Sequence, residues 1–314
     1  MLAMVDLAEI RAARERLKPH VRRTPLVRAV GLRDVPAGQL SLKLESLQVT
    51  GSFKARGATN KVLSLPPGQV GKGLVTASGG NHGLGVAYAG WLAKVPATIF
   101  LPSNIPQAKI ARVETWGAEV VREGSVWDEA DQAAREIAER EGLTYVHAFA
   151  DPAVVAGQGT IGLEILDDAP ETNVVVVAIG GGGLISGVAS AIQALAPGVR
   201  VIGVEPVGAP TLYESVRAGA VVELERITTA ASSLAPRKSA EMNLRIIQKT
   251  VEEIVLVTDQ EMREAARWLW LELGIAAELS GAAAVAAWLS GKVRVGEGES
   301  VCGLVCGAGS EGVE

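Results

Sequence analysis

The chain has 314 residues, 48% of them hydrophobic and 21% charged, enough to bury one large α/β unit or two ordinary domains without staples. Its 30 Lys+Arg against 35 Asp+Glu leave a formal net charge of -5 with no long run of either sign, which argues against a nucleic-acid partner. Charges between Asp6 and Glu15 break up the apolar positions of the N-terminus, so no signal peptide is read there, and no segment is long and apolar enough to span a bilayer.

Along the chain, short apolar runs alternate with amphipathic helical patterns, the rhythm of a doubly wound α/β fold. Leu40 to Glu45 reads as the first strand. It is followed by Thr50-Gly51-Ser52-Phe53-Lys54-Ala55-Arg56-Gly57-Ala58, a lysine among small residues and beside an aromatic. In a desolvated pocket such a lysine is neutral and can attack an aldehyde; read alone, the same pattern also describes a surface lysine. Gly71-Lys72-Gly73 lacks the hydroxyl residue of a phosphate-binding Walker loop. A second strand, Leu74 to Ala77, runs into Ser78-Gly79-Gly80-Asn81-His82-Gly83, where Ser78 and Asn81 can cap a helix and the exposed backbone donors suit a carboxylate.

Ala97 to Leu101 is the third strand. Ser125 is read as the cap of a helix with Ala130, Ala134, Ile137 and Ala138 on one face. Val174 to Ile179 is a continuous apolar run, as expected of a strand covered on both faces, and it empties into Gly180-Gly181-Gly182-Gly183-Leu184-Ile185-Ser186-Gly187. Glycines let the backbone approach a ligand and turn successive N–H groups inward, so this segment reads as a phosphate cup, or more plainly as a tight strand-to-helix turn. The dinucleotide fingerprint fails because Ser186 stands where its third glycine belongs. Val199 to Val204 and Val301 to Cys306 complete the strands, and Thr258 with Glu261 forms a capping box before an apolar face through Met262, Ala265, Ala266, Leu269 and Leu273.

Only two cysteines occur, Cys302 and Cys306, and the strand between them separates their Cα atoms by ~13 Å, beyond disulfide reach. They are expected to be free thiols in a reducing, cytoplasmic compartment. Two thiols and three scattered histidines do not make a zinc site. His20 and His147 show no partner in the sequence and are read as structural.

The lysine motif, the Ser-Gly-Gly-Asn-His turn and the glycine loop occur in an order that resembles the fold-type II pyridoxal-5′-phosphate (PLP) enzymes, in particular the serine/threonine dehydratase and serine racemase group. The likeness runs from about Thr24-Pro25-Leu26 to Cys306-Gly307. It implies a tryptophan synthase β-like fold, with a large PLP-binding domain (residues 1–72 and 147–314) and a small domain (residues 73–146) that closes over the substrate. It also implies that Lys54 carries PLP as a Schiff base, that Phe53 packs by the ring and Asn81 binds the ring hydroxyl, and that Gly180, Gly181, Gly182, Gly183 and the Leu184 N–H hold the phosphate. Ser78, Gly80, Asn81 and His82 would grip the substrate carboxylate. Cys306 would face the pyridine nitrogen, where a neutral thiol makes the ring a weaker electron sink and favours elimination.

Glu205 matches a metal-ligating position of the racemase group, with Ala209 able to offer a carbonyl, but Thr211 replaces an Asp ligand there. A cation at Glu205 and Ala209 is therefore the least supported part of the implied site. Ala231-Ser232-Ser233-Leu234 departs from the family's Asp-Gly-Leu, a change that bears on substrate choice. The resemblance implies a 3-hydroxy amino acid ammonia-lyase acting on L-threonine or L-serine, as a homodimer or homotetramer. Its rivals are a racemase, a β-replacement enzyme, a PLP-binding protein without turnover and, from outside the family, a nicotinamide oxidoreductase.

Overall fold

The computed structural model describes residues 5–32 and 35–313. Among them the elements run α1 (Leu7–Leu17), β1 (Leu26–Arg28), β2 (Gln39–Leu44), α2 (Lys54–Ser64), α3 (Pro67–Val70), β3 (Leu74–Ala77), α4 (Asn81–Ala93), β4 (Ala97–Leu101), α5 (Gln107–Glu114), β5 (Glu119–Arg122), α6 (Trp127–Glu141), β6 (Thr144–Tyr145) and α7 (Pro152–Asp168). They continue with β7 (Val174–Ala178), α8 (Gly183–Leu195), β8 (Arg200–Pro206), α9 (Thr211–Ala218), α10 (Glu241–Thr250), β9 (Glu253–Val257), α11 (Asp259–Leu273), α12 (Leu279–Leu289) and β10 (Ser300–Val305).

Two sheets organise these elements. The larger has the order β1-β2-β10-β7-β8-β9, parallel except for β1, which pairs antiparallel with β2 from Leu26↔Lys43 to Arg28↔Ser41. The smaller, β5-β4-β3-β6, is parallel throughout and is built from residues 74–145. Helices cover both faces of the large sheet, so β7 is buried at all its positions and can be a run of valines ending in alanine, without polar alternation. The turns after β3 and β7, which lead into α4 and α8, lie at the carboxyl ends of parallel strands, the usual place for ligands in α/β folds.

The helix that begins with Lys54 belongs to both halves. Ala58 and Val62 of α2 pack with Leu74, Ile99 and Leu101 of the small sheet, while its other side meets α7 at backbone distance. That approach requires glycine on both helices. A Cβ on Gly57 would lie 2.8 Å from the Val154 carbonyl, and one on Gly157 would lie 2.8 Å from the Arg56 carbonyl. Beneath α2, Arg56 donates to both oxygens of Glu45 (2.8 and 2.9 Å) and of Glu164 (2.7 and 2.9 Å), and Lys43 Nζ reaches Glu164 Oε2 at 2.6 Å. These two cations and two anions are buried and neutral as a set. Removing one partner of such a pair costs about 3–5 kcal/mol, because the other charge is left buried alone. The quartet thus ties α2 to β2, to the short 3-10 turn Glu45–Leu47 and to α7.

Two expected caps are made differently. Val126, not Ser125, is the N-cap of α6, and the Glu129 carboxylate instead accepts from the Ser125 N–H (2.6 Å) and Oγ (3.1 Å). At α4 the cap is Gly80, without a side-chain bond; Ser78 Oγ accepts from the Gly80 N–H at 3.3 Å, and Asn81 is already the first helical residue. The Thr258 and Glu261 capping box is present as expected. No described helix is long and apolar enough to cross a membrane.

Candidate active site

Lys54 opens α2 at the carboxyl ends of the strands. Its Nζ donates to the Ala148 carbonyl at 2.7 Å and lies 5.1 Å from the centroid of the half-buried Phe53 ring. Burial lowers the pKa of this ammonium to about 8, against the attraction of Glu278. The neutral amine, which is the nucleophile, is thus far more abundant at a given pH than for an exposed lysine.

The turn from β7 to α8 is clamped by its neighbours. Gly182 is the N-cap of α8 with φ 89°, a left-handed conformation that a side chain disfavours. A Cβ on Gly181 would sit 2.2 Å from the Phe149 ring, one on Gly182 2.7 Å from Leu212 and one on Gly183 2.8 Å from the Phe149 backbone. Asn243 of α10 donates to the Gly181 carbonyl (2.7 Å) and the Phe149 carbonyl (3.1 Å), and Ser239 Oγ donates to the Gly181 carbonyl at 3.0 Å. With Gly181's carbonyl held from behind, the free N–H groups of the first turn of α8 form an anion-binding end. Ser186 Oγ, in that same stretch of helix, is buried and has no partner.

The second glycine-rich turn runs from β3 to α4. It is open at Gly80, where a Cβ would meet nothing within 4 Å, and α4 begins at Asn81 without a side-chain cap. His82 is held inward by its side chain. Its imidazole is buried, with Nε2 3.0 Å from Thr76 Oγ1 and 2.9 Å from the Val146 carbonyl, and desolvation lowers its pKa to about 3. Its backbone N–H stands in the first turn of α4, with those of Asn81 and Gly83.

Cys306 follows β10, buried, its Sγ donating to the Ser280 carbonyl at 3.3 Å, and burial raises its pKa far above the ordinary thiol range. It is a neutral thiol. Cys302 is likewise free and buried. His147 does have partners: its Nδ1 accepts from the N–H groups of Phe149 (3.1 Å) and Ala150 (2.9 Å), which shapes the turn that carries Ala148.

The Glu205 carboxylate is bonded to the backbone of the following helix. Oε1 accepts from the Leu212 N–H (2.9 Å) and Oε2 from the Tyr213 N–H (2.7 Å), so both oxygens face the start of α9. Burial nevertheless raises its pKa to about 8. Thr211 Oγ1 donates to the Pro236 carbonyl, and the described residues contain no cluster of three or more His, Cys, Asp or Glu able to hold a metal. Ala209 is buried beside these groups, its N–H bonded to the Pro206 carbonyl.

Glu278, at the start of α12, was not singled out by the sequence reading. Its Oε1 accepts from Asn81 Nδ2 at 2.8 Å and Ser280 Oγ at 2.5 Å, with Ser233 Oγ at 3.3 Å. Burial, with Glu311 adding to it, raises its pKa, while the donors from Ser280, Asn81 and Ser233 pull it back. The available signal was its isolation as the one acid in the apolar stretch from Ile275 to Leu289.

A buried lysine of lowered pKa and a glycine turn at a helix N-terminus, with a buried Ser186 hydroxyl left without a partner in that same helix, fit an aldehyde-bearing phosphate such as PLP. The family model "Pyridoxal-phosphate dependent enzyme" matches residues 17–307. The chain belongs to that family. Among curated members, the L-threonine ammonia-lyase of Thermotoga maritima is 44% identical over 287 residues, covering 91% of this chain and 72% of the relative. Maize serine racemase superposes with TM-score 0.94 at 32% identity, covering 98% of this chain and 94% of that one. Threonine deaminase isoform 2 of Solanum lycopersicum, in its processed form, superposes with TM-score 0.91 at 36% identity over 96% of this chain and 83% of that one. As a member of this PLP family the chain is an enzyme of mixed α/β architecture, and its cofactor is PLP.

Proposed function

We propose that the chain is a PLP-dependent L-threonine ammonia-lyase that also accepts L-serine, releasing a 2-oxo acid and ammonia by α,β-elimination. The observation that carries this reading is one lysine, Lys54, bonded to the Ala148 carbonyl next to the Phe149 that clamps the glycine turn, in a chain 44% identical to an L-threonine ammonia-lyase. Bound PLP supplies a ring that withdraws electrons from the substrate Cα.

The roles of the residues follow from their chemistry. Lys54 holds the cofactor and, once released from it, takes the proton from the substrate Cα, as its lowered basicity permits. The N–H groups of Gly180, Gly181, Gly182, Gly183 and Leu184 bind the cofactor phosphate, Phe53 packs beside the ring, and Asn81 donates to the ring hydroxyl. Ser78 Oγ and the N–H groups of Gly80, Asn81 and His82 hold the substrate carboxylate, where the positive end of α4 favours negative charge. The neutral Cys306 thiol leaves the pyridine nitrogen without a countercharge, which favours early loss of the β-hydroxyl. Gly79 has no side chain to carry a proton on the face opposite Lys54, so elimination prevails over racemisation. The free thiols suit a cytoplasmic setting.

The test is a screen of 3-hydroxy amino acids for release of 2-oxo acid and ammonia by the purified holoenzyme. L-Threonine and L-serine should be turned over. A chain that binds PLP but releases ammonia from none of them would overturn the assignment.

A further inference from the structure

Asn81 can reach the ring hydroxyl with either end of its amide, and nothing in its own helix decides which, since Oδ1 and Nδ2 differ only in their partners. Glu278 decides it. Asn81 Nδ2 donates to Glu278 Oε1 at 2.8 Å, which leaves the second Nδ2 hydrogen free. A ring oxygen that carries negative charge accepts hydrogen bonds, so the amide must present N–H to it.

The glutamate is itself fixed from three sides. Its N–H donates to the Gly307 carbonyl at 3.2 Å, and Gly307 lies so close under the carboxylate that a Cβ there would be 2.4 Å from Oε1. Ser280 Oγ is 2.5 Å from Oε1 and 2.6 Å from Ser233 Oγ. At those distances the Ser280 proton goes to the carboxylate and the Ser233 proton to Ser280, since the Ser233 contact with Oε1 is longer, 3.3 Å. The serine relay thus fills one side of Oε1 and leaves the other to Asn81.

From this arrangement we infer that Glu278 is a positioning residue, held by Ser233 and Ser280, that orients the Asn81 amide so that its second N–H faces the cofactor's ring hydroxyl. The inference rests on the role proposed above for Asn81. It concerns acceptor geometry, not bulk charge, so a glutamine at 278 should serve: its amide oxygen accepts the same N–H, and its own amide hydrogens can point away.

The experiment compares holoenzyme of wild type, Glu278→Gln, Glu278→Ala, Asn81→Ala and the Asn81→Ala/Glu278→Ala double variant, each checked for native circular dichroism. The readouts are the visible absorption maximum of bound PLP and its rate of release to a PLP-trapping apoenzyme. Glu278→Ala should shift the maximum and speed release about tenfold, as for loss of one charge-assisted hydrogen bond. Glu278→Gln should stay close to wild type. In the Asn81→Ala background, Glu278→Ala should add nothing, because the residue it positions is gone.

Equal shifts from Glu278→Ala with and without Asn81, or a Glu278→Gln as impaired as Glu278→Ala, would overturn the inference. Should Glu278→Ala fail to fold, Glu278→Leu, similar in size and without an acceptor, takes its place under the same criteria. Failure of the functional reading would look different, since wild type would then bind no PLP or release no ammonia.

Discussion

Two turns rich in glycine each carry the chain from a parallel strand to a helix N-terminus, β7 to α8 and β3 to α4, and their surroundings differ. The first is enclosed: Phe149, Leu212, Asn243 and Ser239 touch it, and none of its four glycines has room for a Cβ. The second is open, with Gly80 exposed and free of neighbours and Gly79 meeting only the Ile105 side chain, 3.0 Å from where a Cβ would lie. An enclosed donor array suits a group that stays bound through every turnover, such as a cofactor phosphate. An open one suits a group that enters and leaves, such as a substrate carboxylate.

The comparison can be broken first at Gly182. In Gly182→Val a β-branched residue would be forced to φ 89° with its Cβ 2.7 Å from Leu212, so PLP affinity should fall by more than about tenfold on backbone strain alone. Titration of apoenzyme with PLP, followed by visible absorbance, measures it. Unchanged affinity would assign the loop a purely structural role.

Asn243→Ala comes next. It removes the donor to the Gly181 and Phe149 carbonyls without touching the cup itself, and PLP affinity should fall several-fold, about 1 kcal/mol or somewhat more. Wild-type affinity in this variant would mean that the loop needs no support from α10.

On the open side, Gly79→Ser adds a hydroxyl at the cost of a shift of a few tenths of an ångström in Ile105. PLP affinity should hold while the ratio of D-isomer to 2-oxo acid rises, read by chiral chromatography of a partly converted L-serine reaction. Wild-type racemisation as fast as ammonia release would show a second proton carrier on the far face that these residues do not include.

The smallest effect is expected from Gly80→Ala, whose Cβ meets nothing within 4 Å at an ordinary negative φ of -127°. Its melting temperature should correspond to a change within about 0.5 kcal/mol, with any loss appearing in KM for the amino acid. A large loss of PLP affinity here would erase the distinction between the two turns.

The same contrast of enclosed and open explains what was legible in the sequence. The strands expected at 40–45, 74–77, 97–101, 174–179, 199–204 and 301–306 are β2, β3, β4, β7, β8 and β10, all interior to their sheets. Those not foreseen, β1, β5, β6 and β9, are the four sheet edges. An interior strand such as β7 is covered on both sides and writes a continuous apolar run, whereas Glu119–Arg122 and Glu253–Val257 begin on exposed charges and are only partly buried along most of their length. In the site, the glycines and Lys54 announce themselves as local motifs. Phe149, Asn243, Ser239 and Glu278 do not, because each acts on a motif from an element remote in sequence, and only the fold brings them together. For His82 the motif shows the residue but not its side-chain partners, since Thr76 Oγ1 and the Val146 carbonyl reach its Nε2 only in the folded chain.

The central claim is that Lys54 alone carries the cofactor. Borohydride reduction of the holoenzyme, digestion and mass spectrometry of the PLP-labelled peptide test it most directly. The account predicts a single labelled peptide containing Phe53 and Lys54, and none from Lys54→Ala treated in the same way. Label on Lys43 or Lys61 in wild type, or a reducible adduct with wild-type turnover in Lys54→Ala, would contradict it.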